Sequence, residues 1–399
     1  MLPVKECQGI QWLRNPRQVR GGEPWLSREA SAPVRRFHES MEEYGVTPLH
    51  NLAGLAKELG VRAFCVKDES QRFGLNAFKA LGGSYAIAME LARRLGRPLE
   101  ELSFDDLCGP EAQEKLGKLT FVTATDGNHG RGVAWAARKL GHSSVVYMPK
   151  GSALERLENI RAQGADAEIT DMNYDDAVRL AARMAEEKGW ILVQDTAWPG
   201  YEEIPAWIMQ GYTTLAGEIA EQLEGEIPTH LFLQAGVGSF AGAALGAFAA
   251  RWGEKYPITC VVEPDKADCH YRTAKADDGQ LHFVTGDMDS MMAGLCCGEP
   301  CTISWEILDS YADGFLSCGD EYSALGMRLL GRPQGDDPRV ISGESGAVGA
   351  GVLAAILQEE RLTDLRRALN LGPNAKVLLI STEGDTDREN YKKILAEEA

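Results

Sequence analysis

Lys79 stands in the run Asn76-Ala77-Phe78-Lys79-Ala80-Leu81-Gly82-Gly83-Ser84-Tyr85, an apolar, glycine-flanked setting that is unusual for a lysine. Asn76 is a favoured helix N-cap and would put Lys79 in the first turn. Phe78, Leu81, Tyr85, Ala88, Ala92 and Leu95 then recur at helical spacing, as a core-facing stripe does. At the buried mouth of a helix, desolvation lowers a lysine's pKa and makes its amine a nucleophile. Such an amine suits a Schiff base with a carbonyl cofactor, of which pyridoxal phosphate (PLP) is the usual one. For this residue alone, a lysine snorkelling at a helix end is the simpler explanation. Further loops tip the balance.

Gly236-Val237-Gly238-Ser239 follows the apolar stretch His230 to Gln234 and opens a helix. Glycines let backbone N–H groups approach a phosphate, the helix dipole favours the anion, and Ser239 adds a hydroxyl. Gly236, Gly238 and Gly242, with Glu263 ending the next strand, also match a loose dinucleotide-binding pattern. Small residues packing a helix on a sheet would read the same way. The monophosphate of PLP is favoured because it also accounts for Lys79.

Thr125-Asp126-Gly127-Asn128-His129-Gly130 is richer than a turn requires, although Asp-Gly and Asn alone would make one. Asn128 can donate to the phenolic oxygen of a ring cofactor. The backbone around Thr125, Gly127 and His129, at a helix start, can take a substrate carboxylate. His129 is either catalytic or simply packed. Thr382 follows a late strand and can donate to a pyridine nitrogen or cap the next helix. A neutral hydroxyl there makes a weaker electron sink than an aspartate and favours prompt loss of a β-leaving group. Asp195 ends the strand Trp190 to Gln194; it is a partner for a second substrate ammonium, or a loop aspartate capping the segment after it.

The elements that carry these loops alternate. Strands are expected at 61–67, 119–123, 144–148, 167–170, 190–194, 230–234, 258–262 and 376–380. Helices are expected at 47–59, 76–95, 131–140, 153–163, 174–188, 204–223, 239–252, 302–310, 320–331 and 345–358. Residues 1 to about 45 read as an extended arm. Alternation with short links means parallel sheets covered on both faces. The fold class is α/β, with two domains, each an open, mainly parallel sheet flanked by helices. The large domain takes 1–84 and 201–399; the small one takes 85–200. In such sheets ligands bind beyond the carboxyl ends of the strands, where all of these loops lie.

A chain of 399 residues with 44% apolar content has room for two cores. Its net charge of −18 makes it a poor ligand for nucleic acid. No apolar run reaches the length of a membrane span, and Met1 to Arg20 has no continuous apolar stretch of the signal-peptide kind. Nine cysteines, six of them between Cys260 and Cys318 and none in a CxxC pair, give no zinc pattern. Inert thiols in a cytoplasmic protein are expected, with no metal.

Taken together, Asn-Ala-Phe-Lys, Gly-Asn-His-Gly, Gly-Val-Gly-Ser and Ser-Thr-Glu-Gly resemble the tryptophan-synthase-β type (fold type II) of PLP enzyme. Within that group the chain is similar, over nearly its whole length, to the diaminopropionate ammonia-lyases. Asp68 to Gly83 and Ala124 to Gly132 carry the resemblance most specifically. General serine and threonine dehydratases have Ser where Asp126 stands, Arg where Leu81 stands, and a glycine run in place of Gly-Val-Gly-Ser. The resemblance implies a two-domain fold, a homodimer, and conversion of 2,3-diaminopropionate to pyruvate and two ammonia. Lys79 and Asp126 are then the candidate bases, one on each face of the bound substrate, which would admit both D and L forms. A serine or threonine dehydratase, and a nicotinamide-dependent oxidoreductase built on the Gly236 loop, stand as alternatives.

Overall fold

The computed structural model describes residues 9–16, 19 and 21–397. The part of the expected N-terminal arm at 1–8, 17, 18 and 20, with most of the stretch searched for a signal peptide, lies outside them. Among the described residues, eleven strands form two sheets. They are β1 (Gln11–Arg14), β2 (Leu49–Asn51), β3 (Ala63–Asp68), β4 (Thr120–Ala124), β5 (Ser143–Met148), β6 (Asp166–Ile169), β7 (Ile191–Leu192), β8 (His230–Gln234), β9 (Ile258–Pro264), β10 (Gly314–Cys318) and β11 (Lys376–Ser381).

The larger sheet runs β1-β10-β9-β8-β11-β3-β2, parallel except for its antiparallel edge strands β1 and β2. The smaller sheet runs β6-β5-β4-β7 and is parallel throughout. The interior of β8 is wholly buried, as expected of a strand covered on both faces. From β8 the chain steps to β9 and β10 on one side, while β11 lies on the other. The crevice between β8 and β11 is therefore a topological switch point. The loops Ala235–Gly238 and Thr382–Gly384 leave from it.

The helix Ala80–Leu95 lies between the two sheets' helices. Small residues let it approach both. A Cβ on Gly82 would stand 2.6 Å from a Tyr212 ring carbon, and one on Gly211 would stand 2.6 Å from the Leu81 carbonyl oxygen. On its other side a Cβ on Gly132 would come within 2.9 Å of Ala80. These contacts fix the helix against Glu203–Gln222 and Asn128–Lys139, and so fix its first residues.

Several expectations need correction. Asn76 is not the cap of this helix. It sits in the left-handed region at φ +58, its side chain donates to Asp385, and its carbonyl accepts from Gly384 N–H. Phe78 N–H donates to the Thr382 carbonyl at 3.1 Å. The segment before the helix thus pairs with the turn after β11, and Lys79 occupies the N-cap position. Thr47-Pro48 opens no helix; β2 comes first and a helix covers only Ala53–Leu59. The arm contains a helix, Arg28–Glu39, capped by the Ser27 hydroxyl accepting from Ala30 N–H.

Candidate active site

Lys79, Thr125, Asp126, Asn128, His129, Asp195, Gly236, Val237, Gly238, Ser239 and Thr382 all line one cavity at the carboxyl ends of both sheets. Gly127 does not; its N–H is turned back to the Thr125 hydroxyl.

The Lys79 amine meets Asp195 Oδ2 at 2.5 Å. This corrects the expectation of a depressed lysine. Burial does work against the ammonium, but the Asp195 carboxylate outweighs it and holds the Lys79 pKa above the ordinary value. Burial likewise works to raise the Asp195 carboxyl. The adjacent His129 and Lys79 pull it down to about 2. Its second oxygen accepts from Tyr174 OH and from Gln194 Nε2, each at 3.2 Å. His129 donates through Nε2 to the Val193 carbonyl, which leaves Nδ1 without a partner, 3.8 Å from Asp195. Burial lowers the His129 pKa against the pull of Asp195. A neutral ring then offers a lone pair to a cation, so His129 belongs with Asp195 on an ammonium-accepting wall.

Beside this wall lies the loop after β8, joined to it at Asp195. The first N–H groups of the helix Ser239–Trp252 have no partner within the helix and open on the cavity. Gly238 has φ +95, and a Cβ there would stand 2.4 Å from His270 Nε2. A Cβ on Gly236 would meet the Gly294 carbonyl at 3.0 Å and Cys297 Sγ at 3.1 Å. Gly238 leaves no room for a side chain, and Gly236 leaves room only if its neighbours give way. The Ser239 hydroxyl donates to the Asp195 carbonyl at 2.6 Å, so its proton serves the loop rather than a ligand. Thr382 Oγ1 accepts from Gln234 Nε2 at 2.9 Å and keeps its own proton for the cavity. Asn128 Nδ2 donates to Glu383 Oε2 at 2.5 Å. Asp126 pairs with the Arg156 guanidinium at 3.4 Å.

A lysine amine, a glycine cradle at a helix start and a free threonine hydroxyl match the aldehyde, phosphate and pyridine nitrogen of PLP. The residues fit that cofactor. A dinucleotide fits less well, because Glu263 is already engaged: it accepts from the N–H groups of His270 and Tyr271 and from the His270 ring. Glu263, Cys269 and His270 do gather within 4.8 Å of one another behind the loop, but these bonds occupy the carboxylate.

Comparison with known proteins agrees. The sequence profile of the family described as "Pyridoxal-phosphate dependent enzyme" matches residues 41–383. The chain belongs to the pyridoxal-phosphate dependent enzymes. Its cofactor is PLP, and its two-sheet architecture is that of fold type II. It is similar to a diaminopropionate ammonia-lyase of Salmonella typhimurium, with 57% identity over 91% of each chain. It is also similar to crystal structures of the Escherichia coli diaminopropionate ammonia-lyase. One, in complex with an aminoacrylate-PLP azomethine reaction intermediate, gives a TM-score of 0.91 at 49% identity, covering 98% of each chain. Another, in complex with D-serine, gives 0.90 at 49% identity, covering 97% of each chain. Membership removes the nicotinamide reading of the Gly236 loop.

Tyr174, Arg156, Gln234 and Glu383 belong to the site without standing out in the sequence. Glu383 lies inside the Ser-Thr-Glu-Gly motif, where nothing local gives it a role. Tyr174 and Arg156 carry no local signal, since the small sheet brings them in from separate helices.

Proposed function

We propose that this chain is a PLP-dependent carbon–nitrogen lyase acting on 2,3-diaminopropionate. With water, the substrate gives pyruvate and two ammonia. The observation that carries this reading is the cavity in which the Lys79 amine lies against the buried carboxylate of Asp195, a partner for the second ammonium of the substrate, with Asp126 on the same wall. The similarity to diaminopropionate ammonia-lyases supports it.

When bound, PLP supplies the electron sink that lets an α-proton depart and a β-amine be expelled. Lys79 would hold the cofactor's carbonyl carbon, and its Nζ would be the atom that takes or returns a proton. Backbone N–H groups of Gly236, Val237, Gly238 and Ser239 hold the phosphate. The Thr382 hydroxyl, steadied by Gln234, donates to the ring nitrogen as a neutral partner. Asn128, whose amide here donates to Glu383, would hold the phenolic oxygen. Thr125 and the backbone at the start of the helix Asn128–Lys139 receive the substrate carboxylate, whereas Gly127, turned back to Thr125, does not reach it. Asp195 keeps one oxygen on Tyr174 and Gln194 and turns the other, with His129 Nδ1, to the β-ammonium. Asp126 takes the α-proton of one enantiomer, the D form, and Lys79 that of the other. The complex of a relative with D-serine supports a site that admits D-amino acids.

The smaller sheet, Thr120 to Leu192, falls within 85–200, which supports a division of the chain into two domains there. A homodimer is the assembly the resemblance implies. The eight described cysteines are free thiols, which suits a reducing cytoplasm, and no described helix is long and apolar enough to cross a membrane.

The test is to supply D- and L-diaminopropionate and D- and L-serine to the purified protein and measure pyruvate and ammonia. Diaminopropionate should be preferred in kcat/KM, with two ammonia per pyruvate. Preference for serine, with one ammonia per pyruvate, would make it a dehydratase. Lys79→Ala should abolish all turnover.

A further inference from the structure

We propose that Arg156 is a positioning residue, which aims the Asp126 carboxylate at the substrate's α-carbon. The inference rests on Asp126 being the base for one enantiomer.

Arg156 lies in the first turn of the helix Leu154–Arg161, beyond the end of β5, and is 6% exposed. Its guanidinium reaches across the cleft between the two sheets. One terminal nitrogen is 3.4 Å from Asp126 Oδ2. The other is 3.4 Å from the Thr386 hydroxyl and 3.7 Å from Glu344 Oε2, both on the side of the larger sheet. Thr386 in turn donates to Glu383 Oε2 at 3.2 Å. Among the described residues, Arg156 is the one side chain that hydrogen-bonds the Asp126 carboxylate.

The stem of Arg156 runs over Gly127. A Cβ there would stand 3.1 Å from Arg156 Cδ and 3.4 Å from its Cβ and Cγ. The absent side chain is the berth in which the arginine lies, which gives Gly127 a purpose although it does not line the cavity. The guanidinium is the cation among several carboxylates. Burial opposes the guanidinium, but Glu383, Asp126 and Glu344 keep it protonated. Without it, Asp126 would face Glu344 and Glu383 with no intervening cation, and its carboxylate would turn away. A general base acts only within hydrogen-bonding reach of the proton it removes, so a turned carboxylate costs turnover of the enantiomer that depends on it.

The experiment measures kcat and KM for D- and L-diaminopropionate in Arg156→Met, Arg156→Lys, Gly127→Ala, Asp126→Asn and the double variant Arg156→Met with Asp126→Asn. Cofactor absorbance and melting temperature are recorded for each. Arg156→Met should lower kcat for the D form by about 10- to 100-fold, a part of the cost of removing a base altogether. KM for the D form, kcat for the L form and cofactor content should stay near wild type. Arg156→Lys should recover part of the loss. In the Asp126→Asn background, Arg156→Met should not move the D-to-L ratio further. An unmoved ratio in Arg156→Met, or a further D-specific loss in the double variant, overturns the inference while leaving Asp126 as base. Equal losses for both enantiomers in Asp126→Asn would remove the base itself, and the inference with it. If Arg156→Met fails to fold, Gly127→Ala, which displaces the arginine stem, decides by the same ratio.

Discussion

Lys79 Nζ and Asp195 Oδ2 meet at 2.5 Å, although Lys79 begins the central helix and Asp195 follows β7 of the smaller sheet. The pair closes the site across the cleft. It also stores the lysine as an ammonium, which is not a nucleophile until it gives up its proton.

Asp195→Asn should therefore speed cofactor uptake by the cofactor-free protein at neutral pH. The sign comes from the two influences on Lys79: Asp195 raises its pKa, and burial, left unopposed, lowers it. Each unit of decrease gives about tenfold more free amine. Stopped-flow absorbance after mixing with PLP measures the rate. An unchanged or slower rate would mean that Asp195 is not what keeps the amine charged. The same variant should raise KM for diaminopropionate more than for serine, because only the former brings a second ammonium.

Each member of this pair is legible in the sequence from its place at a strand end or helix start. Their contact is not, and desolvation alone points the lysine's charge the wrong way. The regular βα stretches read well: His230–Gln234, Tyr174–Lys188 and Asp320–Gly331 fall where periodicity puts them. β10, Gly314–Cys318, escapes the sequence because five residues with no alternation carry no signal apart from their neighbours. The helix Arg28–Glu39 is hidden by Pro33 and by charges on its outer face. Asn76 fails as a cap because tertiary pairing with Gly384 overrides local propensity. Arg156 and Tyr174 act over distances that only the assembled sheets define.

Gly238→Ala should weaken PLP binding more than Gly236→Ala. The first puts a Cβ 2.4 Å from His270 Nε2 at φ +95, whereas the second meets neighbours at 3.0 and 3.1 Å. A loss of about tenfold or more in affinity is expected for Gly238→Ala, since both the backbone and the space oppose a side chain. Equilibrium dialysis against PLP gives the constants. Equal affinities in both variants would reject the cradle.

Thr382→Asp should change the cofactor's absorption spectrum and slow elimination. Gln234 donates to Thr382 Oγ1, so the threonine's own proton is the one offered to the ring nitrogen. A carboxylate there would instead draw a proton onto that nitrogen and deepen the electron sink. A spectrum and rate like those of wild type would return Thr382 to a purely structural role.

The chain that delivers Lys79 is anchored by charges that water does not reach. Lys67, Glu69, Arg72 and Glu218 are all fully buried. Arg72 holds Glu69 through Nε and a terminal nitrogen, both at 2.9 Å, and holds Glu218 through its two terminal nitrogens at 2.9 and 2.8 Å. Lys67 donates to Glu218 at 2.6 Å, to Gln222 and to the Thr47 carbonyl. Two cations and two carboxylates thus satisfy one another. Removing one carboxylate leaves a buried cation uncompensated, which typically costs about 3–5 kcal/mol. Glu218→Gln should lose stability of that order in urea unfolding of the cofactor-free protein. Burial would raise the Glu218 carboxyl, but Arg72 and Lys67 hold it down at about 2. A carboxyl depressed on folding stabilises at pH values above its unfolded pKa, and that contribution fades as pH falls through the folded one. The gap between wild type and Glu218→Gln should therefore be full near pH 6 and narrow as pH falls from about 4.5 towards 2. Because Glu69 and Arg72 lie in the turn Glu69–Gly74 that leads to Lys79, the variant should also hold PLP less firmly at pH values where it remains folded. A gap below about 1 kcal/mol at pH 6, the scale of an exposed pair, would show that solvent reaches these charges after all.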